Sequence, residues 1–162
     1  MAGFSTAFMP TSFKQEILQA LHNFTITSGN DFRVVLGIAS PTGTYNASTT
    51  NYGTGVGTPT VSNMGTDELA TGSGYTQGGY DIAVANNITP QISGTTAFTT
   101  PNVNPSWTSA TFSTSGCIMY NFTNGTRAVY VSGFGGTQTV SAGTLTILMP
   151  TNNSSTALIR IA

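Results

Sequence analysis

Charge is what this sequence has least of. Four Lys and Arg and five Asp and Glu make up 6% of its 162 residues, against about 25% in an average soluble domain. Four basic residues cannot line a groove that displaces counterions from a phosphate backbone, so electrostatic nucleic-acid binding is excluded. No apolar run approaches the ~20 residues of a membrane-spanning helix, and no membrane partner is expected. The single cysteine, Cys117, has no internal partner for a disulfide, and with one histidine, His22, zinc and copper sites lack a ligand set. The opening residues carry no basic segment followed by an apolar one, so no secretory leader is expected.

Ser, Thr, Asn and 19 Gly take the place of charge, while apolar content holds at 38%. That is enough to build a core, so the chain is not a disordered tract. Thr and Val suit a pleated, half-buried surface, and Gly and Asn supply positive-φ turns. The length fits one domain. A net charge of -1 gives little repulsion between copies, which favours assembly over a free, highly soluble monomer.

One helix is expected at Ser12–His22. Ser12 and Gln15 form an S-x-x-Q capping box, and Phe13, Ile17 and Leu21 recur every four residues with Leu18 beside them. Residues 1–11 read as an uncharged arm, with Phe4, Phe8 and Met9, together with Phe13 of the helix, as apolar anchors for a neighbouring subunit. The rest, 12–162, reads as a single β domain. Phe32 to Ala39 is a buried strand, and residues 42–74 form a long, weakly periodic excursion with a short helix near Asp67 to Ala70. Further strands are expected at Tyr80 to Ala85, Trp107 to Thr114, Cys117 to Phe122 and Arg127 to Ser132, the last two joined through the Asn124-Gly125 hairpin signal. Thr137 to Val140 and Thr144 to Leu148 are expected to pair across a turn at Ala142-Gly143, before a last strand at Ala157 to Ile161. Short strands punctuated every 8–12 residues or so predict a mainly β chain: an antiparallel β-sandwich or jelly-roll-like domain with one short N-terminal helix.

Groups capable of chemistry are few. His22, near the helix end, is expected to face the last helical carbonyls, and Cys117, between apolar residues, to be a buried thiol. The carboxylates are Glu16, Asp31, Asp67, Glu68 and Asp81. Adjacent Asp67 and Glu68 suit a helix N-terminus better than a calcium site, there being no EF-hand spacing. Gly72 to Gly79 lacks the Lys-Ser/Thr ending of a phosphate loop and reads as a tight turn. No catalytic residue, metal or cofactor is expected. Tyr45 and Tyr52, set among Asn and Thr in the excursion, are the candidate sugar-stacking rings should the chain recognise a host glycan.

Several segments together carry a resemblance: Gly74-Tyr75-Thr76-Gln77-Gly78-Gly79, Trp107-Thr108-Ser109-Ala110-Thr111-Phe112, Arg127-Ala128-Val129, Val140 to Ile147, and the closing Ile159-Arg160-Ile161-Ala162. With the helix Phe13 to Leu18, they resemble small virion structural proteins of tailed bacteriophages. The resemblance implies a non-enzymatic virion part, made in the host cytoplasm and resident on the capsid exterior. The expectation is a decoration or cement protein that binds the major capsid protein and itself, with a homotrimer favoured. The alternative is a glycan-binding module at the tail or a vertex.

Overall fold

The computed structural model describes residues 2–162. Its elements in chain order are β1 (Gly3–Phe4), α1 (Thr11–Leu18), β2 (Phe32–Ile38), β3 (Thr44–Tyr45), β4 (Tyr80–Asp81), β5 (Gln91–Ser93), β6 (Thr96–Thr99), β7 (Ser106–Asn121), β8 (Arg127–Thr146) and β9 (Ile159–Ile161). An antiparallel sheet in the order β4-β2-β7-β8 is the backbone of the molecule, and β5-β6-β9 form a smaller antiparallel sheet. The two-residue strands β1 and β3 pair in parallel. The chain is mainly β with one helix, as expected, and its layering is consistent with a sandwich.

Around β2 the large sheet is buried on both faces, which is why β2 reads as a continuous apolar run and not as an alternation, whereas β8 from Gly133 onward carries no buried residue. Val34, Leu36, Cys117, Met119 and Val129 face one cluster, shared with Phe13 of α1, Phe24 and Ile159 of the small sheet. Val35, Ile118, Tyr120, Ala128 and Val131 face the other. A register shift opposite Met119/Tyr120 inserts an extra residue in β8, so Ala128 and Val131 fall on the same face although they are three apart. The cover on this second face is the excursion itself, which contributes Tyr45, Tyr52 and Met64.

Four expectations are corrected. The helix begins at Thr11 with Pro10 in the capping position, and no side chain caps it. The Thr11 N–H instead donates to the Ala47 carbonyl at 2.8 Å, leaving the Ser12 hydroxyl buried without a partner among the described residues. The helix also ends four residues short of His22. Its stop is a Schellman arrangement with Ala20 at φ +56°, in which the Leu21 N–H donates to Glu16 O and the Ala20 N–H to Ile17 O, both at 3.0 Å. Next, Ala142-Gly143 turns nothing: β8 runs through it, and through Gly135-Gly136, as bulges and pairs with β7 on both sides, so the expected hairpin within 137–148 is absent. Finally, the strand at Tyr80 to Ala85 stops at Asp81 and gives way to a 3-10 turn at Val84–Asn86. The hairpin β5–β6, with Gly94 in its turn at φ +59°, has little local signal, since its strands are three and four residues long and carry only Ile92, Ala97 and Phe98 as apolar residues.

Candidate functional site

Residues 5–8 lie along the outer edge of β8 in their own chain. Phe8 pairs with Val131 through two backbone bonds of 2.8 and 2.9 Å, and the Gly133 N–H donates to Ser5 O at 2.7 Å. Phe4 stacks on Tyr45 with ring centroids 4.6 Å apart. Its ring lies where Cβ atoms on Gly37 and Gly116 would otherwise project, and a Cβ on Gly133 would press on the Phe4 and Ser5 carbonyls. Three glycines on β2, β7 and β8 thus form a trough for the arm. Of the four expected anchors, Phe13 is wholly buried in its own core, Phe4 and Met9 are half-buried, and Phe8 is exposed at 38%. Phe13 is therefore a core residue and not a surface contact. Met1 lies outside the described residues.

The excursion is anchored by two buried carboxylates, Asp67 and Glu68, at the end of a 3-10 turn at Gly65–Asp67. Asp67 accepts from the Thr42 N–H at 2.9 Å, the Gly43 N–H at 2.7 Å, the Thr42 hydroxyl at 3.1 Å and the Tyr45 hydroxyl at 2.7 Å. Burial acts to raise its pKa, but these donors outweigh that effect and hold the carboxyl below its ordinary value. Glu68 accepts from the Tyr52 hydroxyl at 2.6 Å, the Tyr75 hydroxyl at 2.7 Å and the Gly78 N–H at 2.7 Å. Burial, with the adjoining carboxylates, pushes the Tyr45, Tyr52 and Tyr75 phenols well above the usual range. Tyr45 is 1% and Tyr52 6% exposed, and Tyr52 stacks on Tyr120 at 4.4 Å. Neither ring has a face open to a sugar. Tyr75 and Gly78 of the Gly74 to Gly79 segment thus serve the Glu68 cage, and Asp67 and Glu68 are structural acceptors rather than helix N-terminal acids.

A third buried carboxylate ties α1 to the β7–β8 turn. Glu16 Oε2 lies 2.8 Å from His22 Nε2, and Oε1 accepts from Arg127 Nη1 at 2.9 Å. The Asn121 amide nitrogen stands 3.1 Å from His22 Nδ1 and also donates to Asn30 Oδ1 at 2.9 Å. That amide sets the proton of neutral His22 on Nε2, aimed at Glu16. Burial, the largest influence, lowers the His22 pKa from 6.5 against the raising effect of Glu16. The imidazole serves Glu16 and Asn121, not the helical carbonyls expected from sequence. Cys117 is buried, with its thiol pushed up to about 12 by desolvation, as an inert core residue requires.

Matching each charge with its partner leaves a short remainder. Arg33 pairs with Asp81 at 3.2 Å and Arg127 with Glu16, while Asp67 and Glu68 are caged. Among the described residues, Lys14, Arg160 and Asp31 have no ion-pair partner. Lys14 and Arg160 flank one groove of about 380 Å³ whose walls include Met9, Ile17, Leu18 and Ile161. Leu18 is 88% exposed and Ile161 52%. On the far side of Ile17 and Ile161 lies a second apolar cleft of about 450 Å³, walled by Phe24, Pro90, Ala97 and Ile159. The sequence signal for this pair is slight: Arg160 stands between Ile159 and Ile161, and Lys14 precedes Ile17 and Leu18 by three and four residues on α1.

No family model, curated protein or solved structure matches the chain.

Proposed function

We propose that the chain is a non-catalytic assembly module, and that it serves as a decoration or cement protein on the capsid exterior of a tailed-phage virion, bound to the major capsid protein. The observation that carries this reading is where the charge goes. Glu16, Asp67, Glu68 and Asp81 each hold two parts of their own fold together. What faces outward is almost neutral Ser, Thr, Asn and Gly, interrupted by exposed Leu18, Ile92, Phe122, Leu148 and Ile161. A surface that repels neither copies of itself nor a dense lattice suits many shallow contacts repeated over a shell. The sequence resemblance to virion structural proteins supplies the setting. Acid–base catalysis has little to work with, since the one histidine is held between Glu16 and Asn121.

The test is copy number per purified virion by quantitative mass spectrometry against the major capsid protein. A near-stoichiometric ratio is expected. A few copies to a few tens would move the chain to the tail or the vertices and overturn capsid-wide decoration.

A further inference from the structure

We infer that a second copy of this chain docks in the Lys14–Arg160 groove, presenting the knob formed by its own Asp31 and Phe122. The inference deepens the assembly reading and rests on it for setting only, because self-association is read on the purified protein without a virion. Both halves follow from the charge remainder.

The groove is apolar in its walls and cationic at its rim. Ile17, Leu18 and Ile161 supply the walls, with Ala162 also lining the groove, and neither Lys14 nor Arg160 forms an ion pair among the described residues. An occupant that matched it would bring an apolar group and a carboxylate side by side.

Among the described residues, Asp31 and Phe122 make such a pair. Asp31 is the one acidic side chain among the described residues with neither an ion pair nor a hydrogen bond to its carboxylate. It is held beside the β7–β8 turn by its own backbone: the Asp31 N–H donates to the Thr123 hydroxyl at 2.8 Å, and its carbonyl accepts from the Phe122 N–H at 2.9 Å. Those two bonds hold the Asp31 backbone beside that of Phe122, whose ring is 46% exposed. The inner face of the Phe122 ring is covered by the Arg33 guanidinium, 3.6 Å from the ring centroid. Arg33 is itself paired with Asp81, so Asp31 remains the uncompensated charge of the knob. An aromatic ring braced from behind loses little freedom on docking.

Knob and groove share no residue, so the contact joins two different patches. A head-to-tail contact of this kind closes into a ring when the rotation between copies allows, which is the geometry a trimer needs.

Sedimentation velocity on the full-length protein over a concentration series tests the inference by charge reversal and rescue. Wild type is expected to self-associate. Asp31→Lys alone, or Lys14→Asp with Arg160→Asp, is expected to weaken association about tenfold or more, and the three changes together to restore it. Leu18→Ser, at a position already exposed, is expected to weaken association with an unchanged melting temperature. A chain that stays monomeric throughout, or reversals that leave association untouched, or a combined variant that fails to recover, would overturn it. Virion copy number answers separately for the capsid reading, so the two fail independently.

Discussion

Tyr45 donates its hydroxyl to Asp67 at 2.7 Å across 22 residues of chain, and that bond closes the irregular excursion on itself while its Tyr45 ring sits in the core. Tyr45 also carries the stacked Phe4 ring on its other side, so arm, excursion and sheet meet at one side chain. Removing the hydroxyl in Tyr45→Phe leaves a buried carboxylate one donor short. A hydrogen bond to a charged group contributes about 1.5–3 kcal/mol, and urea unfolding should register a loss of that order. Tyr75→Phe, which strips one donor from Glu68, should behave alike. Stability within about 0.5 kcal/mol of wild type in both variants would mean that the excursion is not held by its carboxylates.

At the end of α1 the strain points the other way. Ala20 adopts φ +56° at the position of a Schellman stop where glycine is usual. The left-handed conformation costs a side chain about 1–2 kcal/mol, while glycine gives back about 0.4–1 kcal/mol through greater freedom of the unfolded chain. Ala20→Gly is therefore expected to stabilise the protein by about 0.5–1 kcal/mol in denaturant melts. A destabilised variant would contradict the strain.

What could be read from the residues was whatever depends on local pattern. The β2 strand came from its unbroken apolar run, the Asn124-Gly125 turn from its dipeptide, and the buried Cys117 from its apolar neighbours. Patterns failed where a partner distant in sequence decided the outcome. Ser12 is a sound capping residue, yet Ala47 supplies the acceptor for Thr11 and the helix starts one residue early. Ala142-Gly143 is a sound turn, yet β7 is long enough to pair with β8 on both sides of it, and the dipeptide becomes a bulge. Tyr45 and Tyr52 suggested an open aromatic surface because nothing in their neighbours announces Asp67 and Glu68 as acceptors. The same limit hid the knob and groove, which exist only once every other charge has found its partner.

The glycine trough makes the arm testable apart from any partner. A methyl group at Gly116 would occupy the space of the Phe4 ring, so Gly116→Ala should lift the arm from β8. Overpacking of this kind typically costs about 1–3 kcal/mol. Hydrogen exchange should show early loss of protection at Phe8 and Val131, whose amides bond each other's carbonyls, while Ile118 in mid-sheet stays protected. Uniform protection in the variant would place the arm's anchorage elsewhere.

Acid should weaken the fold in two stages, and the sign follows from which state takes up the proton. The folded-state pKa of His22 lies below the 6.5 of a free imidazole, chiefly through burial. As pH falls below 6.5 the unfolded chain binds a proton that the folded chain resists, so stability declines and then levels once the folded imidazole titrates too. Its protonation would place a donor on Nδ1 against the Asn121 amide, in the joint between α1 and the β7–β8 turn. Asp67 acts lower: its pKa is depressed beneath 3.8, so its stabilisation is intact above that value and is lost as pH falls through the folded pKa. Between pH 7 and 5 the slope from His22 cannot exceed about 1.4 kcal/mol per pH unit, the limit for one proton. Wild-type unfolding free energy should fall across that window, whereas His22→Gln, lower in stability at pH 7, should give a nearly flat line over it. Parallel lines for the two proteins would remove His22 as the sensor and leave acid sensitivity to the carboxylates alone.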